Sequence, residues 1–538
     1  MIGLGTMGRN FLLNVAENGF SCAGYDLDAD KRRLLLEEAE GLIVETAGDV
    51  KELISKLAVP RIIMLLVPAG PIVDSVIDDL VPHLEKDDLI IDGGNSHFLD
   101  TERREMGLAD KGIGFMGVGV SGGEEGARHG PSIMPGGNPA SYERVRPIFE
   151  AISAKVNGEP CVAYMGSGSA GHFVKMVHNG IEYGLMQILA ETYDFMLRVL
   201  KMDYKRMSET FARWNDTALN SFLVEVTKEV LEKIDAETGK PLVEMVLDKA
   251  AQKGTGKWTS QTAMDFGVPI PTIDSAVSMR QISSQKEVRV LAAKKFSSHP
   301  AATERQMSAD GKTVTSEQQH DLKAQLAKEE VKTVVSEQQK DDLRVRTASG
   351  SDRVPHVAAE NATGLEDGNS SNKKIREDFN ADFELSVEQL KNALLSSFIV
   401  TYAQGLSLLQ TVSVEKTYGL NLAEIAKIWR GGCIIRSALL EDMRRAFAEN
   451  PKLPNLILDD KFAEILNANR MDWRETVEKF TDSRVPVLCL SSALAYFDAF
   501  RSERLPANLI QAQRDFFGAH TYQRTDKEGI FHTPDWKE

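Results

Sequence analysis

Over residues 1 to about 170 the chain alternates short apolar runs with amphipathic helical windows, and at Gly171 the alternation stops. Phe20–Tyr25, Ile62–Val67, Leu89–Ile91 and Gly114–Val120 have strand character. Asp28–Ala39, Ile72–Leu84 and Thr101–Asp110 have helical spacing. Parallel strands need a crossover, and a helix is the usual one, so this pattern predicts a mainly parallel sheet covered on both faces. From Gly171 to Lys295, and again from Phe383 to Phe500, only helical periodicity remains. At 538 residues the chain exceeds a single ordinary core. The expected architecture is an α/β N-terminal domain (1–170), a large all-α domain (171–504) and an extended C-terminal tail (505–538).

One stretch fits neither domain. Between Phe296 and Phe379 there is no aromatic residue, and an imperfect repeat relates Lys312–Gln319 to Lys332–Gln339. So polar a segment buries too little apolar area to offset its ordering entropy. Residues 297–380 are expected to be a disordered insertion, with a transient helix around Ser316–Val331. With 79 acidic against 63 basic side chains the net charge is −16, which disfavours nucleic acid or an anionic membrane as partner. Cys22, Cys161, Cys433 and Cys489 lack metal-ligand spacing, so no metal is expected and the thiols read as free and mostly structural. No run approaches the roughly 20 apolar residues of a membrane span, and no signal peptide opens the chain. A soluble, cytoplasmic protein is expected.

Gly3-Leu4-Gly5-Thr6-Met7-Gly8 opens a helical window, and Asp26 ends the next apolar run. Glycines that let backbone approach a pyrophosphate at a helix N-terminus, then an acid roughly 20 residues on for the ribose, form the dinucleotide fingerprint of a Rossmann-type domain. Asp26 favours a free 2′-hydroxyl and hence NAD; Lys31, Arg32 and Arg33 argue the other way. Only Met1 and Ile2 precede Gly3, so the first strand is expected to be shortened and the domain weakened.

Lys175, His178, Asn179 and Glu182 stand at i, i+3, i+4 and i+7, on one face of a helix that is otherwise apolar nearly all round. Such a helix is buried. A base and an acid on it are costly unless a ligand or partner compensates.

These features join several unusual strings. They are Ile91-Asp-Gly-Gly-Asn-Ser96, Gly119-Val-Ser-Gly-Gly-Glu-Glu-Gly-Ala127, Met134-Pro-Gly-Gly137, Gly171 to Tyr183, Gln252-Lys-Gly-Thr-Gly-Lys-Trp258, Trp429 to Arg436 and Leu505 to His520. Together they resemble the decarboxylating 6-phosphogluconate dehydrogenases of the pentose phosphate pathway, over residues 1 to about 295 and from about 383 to the end. The resemblance implies a metal-independent, NADP-linked oxidation of 6-phospho-D-gluconate at C3, followed by loss of CO2 to give ribulose 5-phosphate. Lys175 matches the family's general base and Glu182 its acid. Asn95, Ser121, Gly122, Gly123, His178 and Asn179 match residues that hold the sugar acid's carboxylate and hydroxyls. Tyr183, Lys253, Thr255, Arg280 and Arg514 match the phosphate grip, with His520 in the same region. Gly3, Leu4, Gly5, Thr6, Met7, Gly8, Asp26, Leu27, Asp28, Val67 and Asn95 match the cofactor site. In the family Arg514 and His520 reach the site from the other subunit, which implies a homodimer with exchanged tails.

The ribose corner departs from the family. Asp26-Leu27-Asp28 stands where the usual eukaryotic enzyme has Asn-Arg-Thr. Two carboxylates replace neutral groups and the arginine is missing, so NAD use or dual use is expected beside the family's NADP. Two other readings are weaker. A related β-hydroxyacid dehydrogenase for a non-phosphorylated acid would not need Lys253, Thr255, Arg280 and Arg514, and a silent scaffold would not need Lys175 and Glu182.

Overall fold

Ile2 is the seam of the N-terminal sheet. It forms parallel bridges to Tyr25 on one side and Leu65 on the other. It thereby joins the pair β1 (Cys22–Gly24) and β2 (Val44–Thr46) to the run β3 (Ile62–Leu65), β4 (Leu89–Asp92), β5 (Gly114–Ser121) and β6 (Ser132–Gly137). All pairings are parallel up to β5, and β6 is antiparallel to β5. β4 is buried along its whole length, as expected for a parallel strand covered on both faces. The apolar runs and the helical windows (Ala29–Glu38, Pro71–Leu80, Phe98–Ala109) stand where the alternation put them, within a few residues. β2 and β6 escaped the sequence. β2 has only three residues, none of them buried, and β6 carries Pro135, Gly136 and Gly137, which disguise a strand.

The computed structural model describes residues 1–297, 306–307, 313–314 and 367–536. The 29-residue helix Ala170–Arg198 is the axis of the helical part. Thr255–Asp265, Pro271–Ser284 and the C-terminal portion of Asp367–Glu415 pack on it. A Cβ on Gly184 would stand 2.6 Å from Thr401, and one on Gly405 would stand 2.4 Å from Ile181, so the two long helices touch backbone to side chain. The stretch Asp382–Glu415 is long and apolar enough to cross a membrane, contrary to the sequence reading. Yet 89% of its most apolar window is buried inside the protein, which identifies a core helix.

Residues Met1–Ser284 with Ala381–Glu538 form one compact unit, and Gln285–Asn380 form a second. The second unit contains the helix Lys286–Ser297 and a short antiparallel pair, Gln306–Met307 with Thr313–Val314. The helix expected around Ser316–Val331 lies outside the described residues. The end of the expected disordered insertion is helical from Asp367 onward, which corrects its boundary.

The tail is not extended. Ala507–Gly518 is a helix, and Tyr522–Gln523 pairs with Ile530–Phe531. Asp515 ties them together: its buried carboxylate accepts from the backbone N–H of Thr521 and Thr533, from Trp536 Nε1 and from His532 Nδ1, at 2.9–3.0 Å. Burial alone would raise this carboxyl, but those donors hold it at about 2.

Candidate active site

The four polar residues of the Ala170–Arg198 helix do share one face, and three of them are fully buried. Lys175 Nζ lies 3.3 Å from His178 Nδ1, and that nitrogen is 3.0 Å from Asn179 Oδ1 and 3.9 Å from Glu182 Oε2. The far nitrogen, His178 Nε2, lies 3.2 Å from Ser121 Oγ at the end of β5. Room for the lysine comes from Gly119, where a Cβ would stand 2.4 Å from Lys175 Cβ. Gly122 follows with φ +111°, a left-handed turn between the end of β5 at Ser121 and the helix Gly123–His129.

Burial dominates the electrostatics. Desolvation lowers the Lys175 amine, opposed by Glu182 and Cys433. It raises the Glu182 carboxyl, opposed by Lys175 and Arg280. It also pushes His178 well below its usual range, with Lys175 adding to the effect, so this imidazole is neutral. Burial thus shifts the amine toward its neutral form and the carboxyl toward its protonated form, the directions that a general base and a general acid require.

One turn along the helix, Tyr183 is buried, and the Arg280 guanidinium stacks on its ring at 3.5 Å while donating to Ala251 O at 3.0 Å. Desolvation lowers Arg280, opposed by Tyr183 and Glu182. Thr255 begins its helix directly against Tyr183, where a Cβ on Gly256 would meet the ring at 2.4 Å, and Lys253 is exposed just before it. The structure thus gathers Tyr183, Thr255 and Arg280. Arg514, by contrast, is exposed and donates to Gln511 of its own helix, and His520 is exposed beside Phe517.

Asn95 is exposed on the loop after β4. That loop is pinned by a buried network the sequence did not disclose. Ser96 Oγ donates to Asp92 at 2.6 Å, and Arg104 bridges Asp92 to Asp74. His97 meets Trp258 edge-on at 5.0 Å, linking this loop to the helix that carries Thr255.

The glycine loop fits a dinucleotide. A Cβ on Gly8 would stand 1.9 Å from Gly3 O, so loop and helix close to backbone contact. Nothing lies within 4 Å of a Cβ built on Gly5, which caps Thr6–Glu17 without a side-chain acceptor, and no acid occupies the first helical turn. The positive helix end therefore faces open space, as a pyrophosphate needs. Half-buried Val67 lies alongside, near Gly3. Asp26 is busier than its spacing suggested. Its carboxylate accepts from Leu4 N at 2.8 Å and Asp28 N at 3.0 Å, clamping the glycine loop to the strand end, while Leu27 is 89% exposed.

Cys433 is the other residue whose role the sequence did not separate from structural thiols. Its Sγ lies 2.8 Å from His178 Nε2, inside the cluster, although 255 residues separate the two. Only the fold brings them together.

Known proteins resemble this chain along both parts of the fold. The family model for the NAD binding domain of 6-phosphogluconate dehydrogenase matches residues 1–166, and that for the C-terminal domain of 6-phosphogluconate dehydrogenase matches 171–327 and 342–536. The NADP(+)-dependent, decarboxylating 6-phosphogluconate dehydrogenase of Bacillus subtilis is 44% identical, over 99% of this chain and 98% of its own length. The decarboxylating enzyme of Synechococcus elongatus is 41% identical over the same shares. Among solved structures, Plasmodium falciparum 6-phosphogluconate dehydrogenase, studied alone, with its cofactor NADP+ and with its substrate 6-phosphogluconate, superposes with a TM-score of 0.81 at 38% identity over 99% of both chains. With matching family models along both parts of the fold and relatives of this identity along its whole length, the chain belongs to the 6-phosphogluconate dehydrogenase family.

Proposed function

We propose that the protein oxidises 6-phospho-D-gluconate at C3 and releases CO2 to leave D-ribulose 5-phosphate, with reduction of NAD(P). The observation that carries this is the Lys175–His178–Asn179–Glu182 face, buried at the end of β5 beside an open glycine loop. Neutral Lys175 takes the C3 hydroxyl proton. Residues 3–8, Asp26, Leu27, Asp28, Val67 and Asn95 would hold NAD(P), which would supply the hydride acceptor. The resulting 3-keto acid loses CO2, and protonated Lys175 stabilises the developing enolate. Glu182 then protonates C1 of the enediol, completing the product.

Asn95, Ser121, Gly122, Gly123, His178 and Asn179 hold the carboxylate and hydroxyls. Tyr183, Lys253, Thr255 and Arg280 hold the phosphate from the same chain. Arg514 and His520 complete that grip from a second copy, in a homodimer with exchanged tails. The tail's exposure supports this: Phe517 is 71% and Ile510 59% exposed on the helix that carries Arg514. In domain terms, 1–170 binds cofactor, 171–504 binds substrate, and 505–538 reaches the partner in the cytoplasm. The test is absorbance of the reduced nicotinamide with purified protein and 6-phosphogluconate, run separately with NADP and NAD, with product CO2 assayed. Turnover of hydroxyisobutyrate without turnover of 6-phosphogluconate would overturn the assignment.

A further inference from the structure

The His178 ring has a polar partner on each nitrogen. On one side, Nδ1 is 3.0 Å from Asn179 Oδ1, and a carbonyl oxygen only accepts. With that amide orientation, Nδ1 carries the ring proton and Nε2 the lone pair. Nε2 therefore needs a donor, and two groups are in reach: Ser121 Oγ at 3.2 Å and Cys433 Sγ at 2.8 Å.

These two donors are not equivalent. The Ser121 hydroxyl both donates and accepts, and in the function proposed above it turns to the substrate carboxylate. A proton given to that carboxylate is no longer given to Nε2. The thiol, whose other side-chain partner is Ser121 itself, is not drawn off by the substrate carboxylate, and its loop holds it in place. Gly432, with φ +59°, packs so tightly on the turn that leads into β6 that a Cβ there would stand 2.2 Å from Gly130 O. Ser132 N donates to Gly432 O at 2.8 Å.

We propose that Cys433 is a positioning residue for the dehydrogenation: its S–H donates to His178 Nε2 and holds the imidazole as the Nδ1–H tautomer while substrate occupies Ser121. The consequence falls on Lys175, 3.3 Å from Nδ1. A protonated Nδ1, its hydrogen already donated to Asn179 Oδ1, offers the ammonium form no acceptor and so favours the neutral amine. In the other tautomer Nδ1 would accept from the ammonium and retain its proton. The remaining titratable groups facing Lys175 are Glu182 and Cys433, each favouring the ammonium only when ionised, with Arg280 acting on Glu182. Burial raises the Cys433 thiol to about 11, opposed by Lys175 and Ser121, so it stays protonated as a donor must.

This inference rests on Lys175 being the base, and the test separates the two. The pH profile of kcat is measured on the full-length enzyme for wild type, Cys433→Ala and Cys433→Ser. Losing one hydrogen bond to a charged-state equilibrium should move the acidic limb up by about one pH unit in Cys433→Ala, with Cys433→Ser restoring it. An unmoved limb in Cys433→Ala, or an equal shift in Cys433→Ser, overturns the proposal. Independently of any role for Lys175, 15N-histidine spectra of the 6-phosphogluconate complex report the tautomer, with His178 assigned through its loss in His178→Asn. A lone-pair resonance at Nε2 supports the proposal and one at Nδ1 overturns it. Abolition of hydride transfer in Lys175→Met tests the base alone.

Discussion

Glu182 and Glu191 lie on the same helix, and burial raises both carboxyls, yet they are built for different work. Glu191 is 3% exposed, and its two oxygens accept from Cys489 N at 2.8 Å and Leu490 N at 2.9 Å. Those N–H groups open the helix Leu488–Phe500, whose N-cap, Val487, has no side chain to satisfy them. Glu191 is thus a remote helix cap, raised to about 7 by desolvation against those same donors. Glu182 retains 22% side-chain exposure and faces two basic groups, Lys175 and Arg280. The lesson is that burial of an acid does not mark chemistry by itself. Donors that saturate the carboxylate make it scaffold; an accessible carboxyl beside a titratable amine can pass a proton.

This contrast can be broken or sharpened by experiment. Lys175→Met should show the largest effect, a loss of hydride transfer of ~10³-fold or more, since it removes both the base and the enolate's cation. Single-turnover nicotinamide reduction measures it, and near-normal reduction would dismiss the buried amine as base. Glu182→Gln should lower overall turnover by ~10²-fold or more with little change in thermal stability. A melting temperature that drops while kcat holds would make Glu182 a structural acid like Glu191. Glu191→Ala should do the reverse, costing about 2–4 kcal/mol of stability by stranding two buried N–H groups, with kcat near wild type in the folded enzyme. Denaturant unfolding beside steady-state kinetics reads both quantities.

The pH dependence follows from the direction of the Glu191 shift. Its folded pKa, about 7, lies above the ordinary 4.5. Below 4.5 the carboxyl is protonated in both folded and unfolded chains. As pH rises from there to 7 the unfolded chain releases its proton first, and stability falls by up to about 3 kcal/mol relative to Glu191→Gln. A constant difference between the two proteins from pH 4.5 to 7.5 would show that the backbone donors hold the carboxylate ionised. The smallest effect belongs to the ribose corner, where Asp26→Asn should raise kcat/KM for NADP about tenfold relative to NAD. A wild-type ratio already well above one in favour of NADP would end that reading, and would leave Asp26 as a clamp on the glycine loop.

Periodicity disclosed the α/β and all-α halves because both depend on local repetition of apolar residues. It missed β2 and β6, which are too short or too rich in proline and glycine to repeat anything. It read the tail as extended because Asp515 recruits donors from four separate positions, which no period encodes. Asp26 was legible as an acid at a strand end, but its hydrogen bond to Leu4 N was not.

The sequence by itself determined that Lys175, His178, Asn179 and Glu182 share a face, because helical geometry is fixed by spacing along one element. Only the tertiary structure decided what that face meets. Ser121, at the end of β5, and Cys433, on a distant loop, both arrive at His178, and burial among such neighbours shifts the amine and the carboxyl. Desolvation is a property of everything packed around a group, and no local stretch of residues carries it.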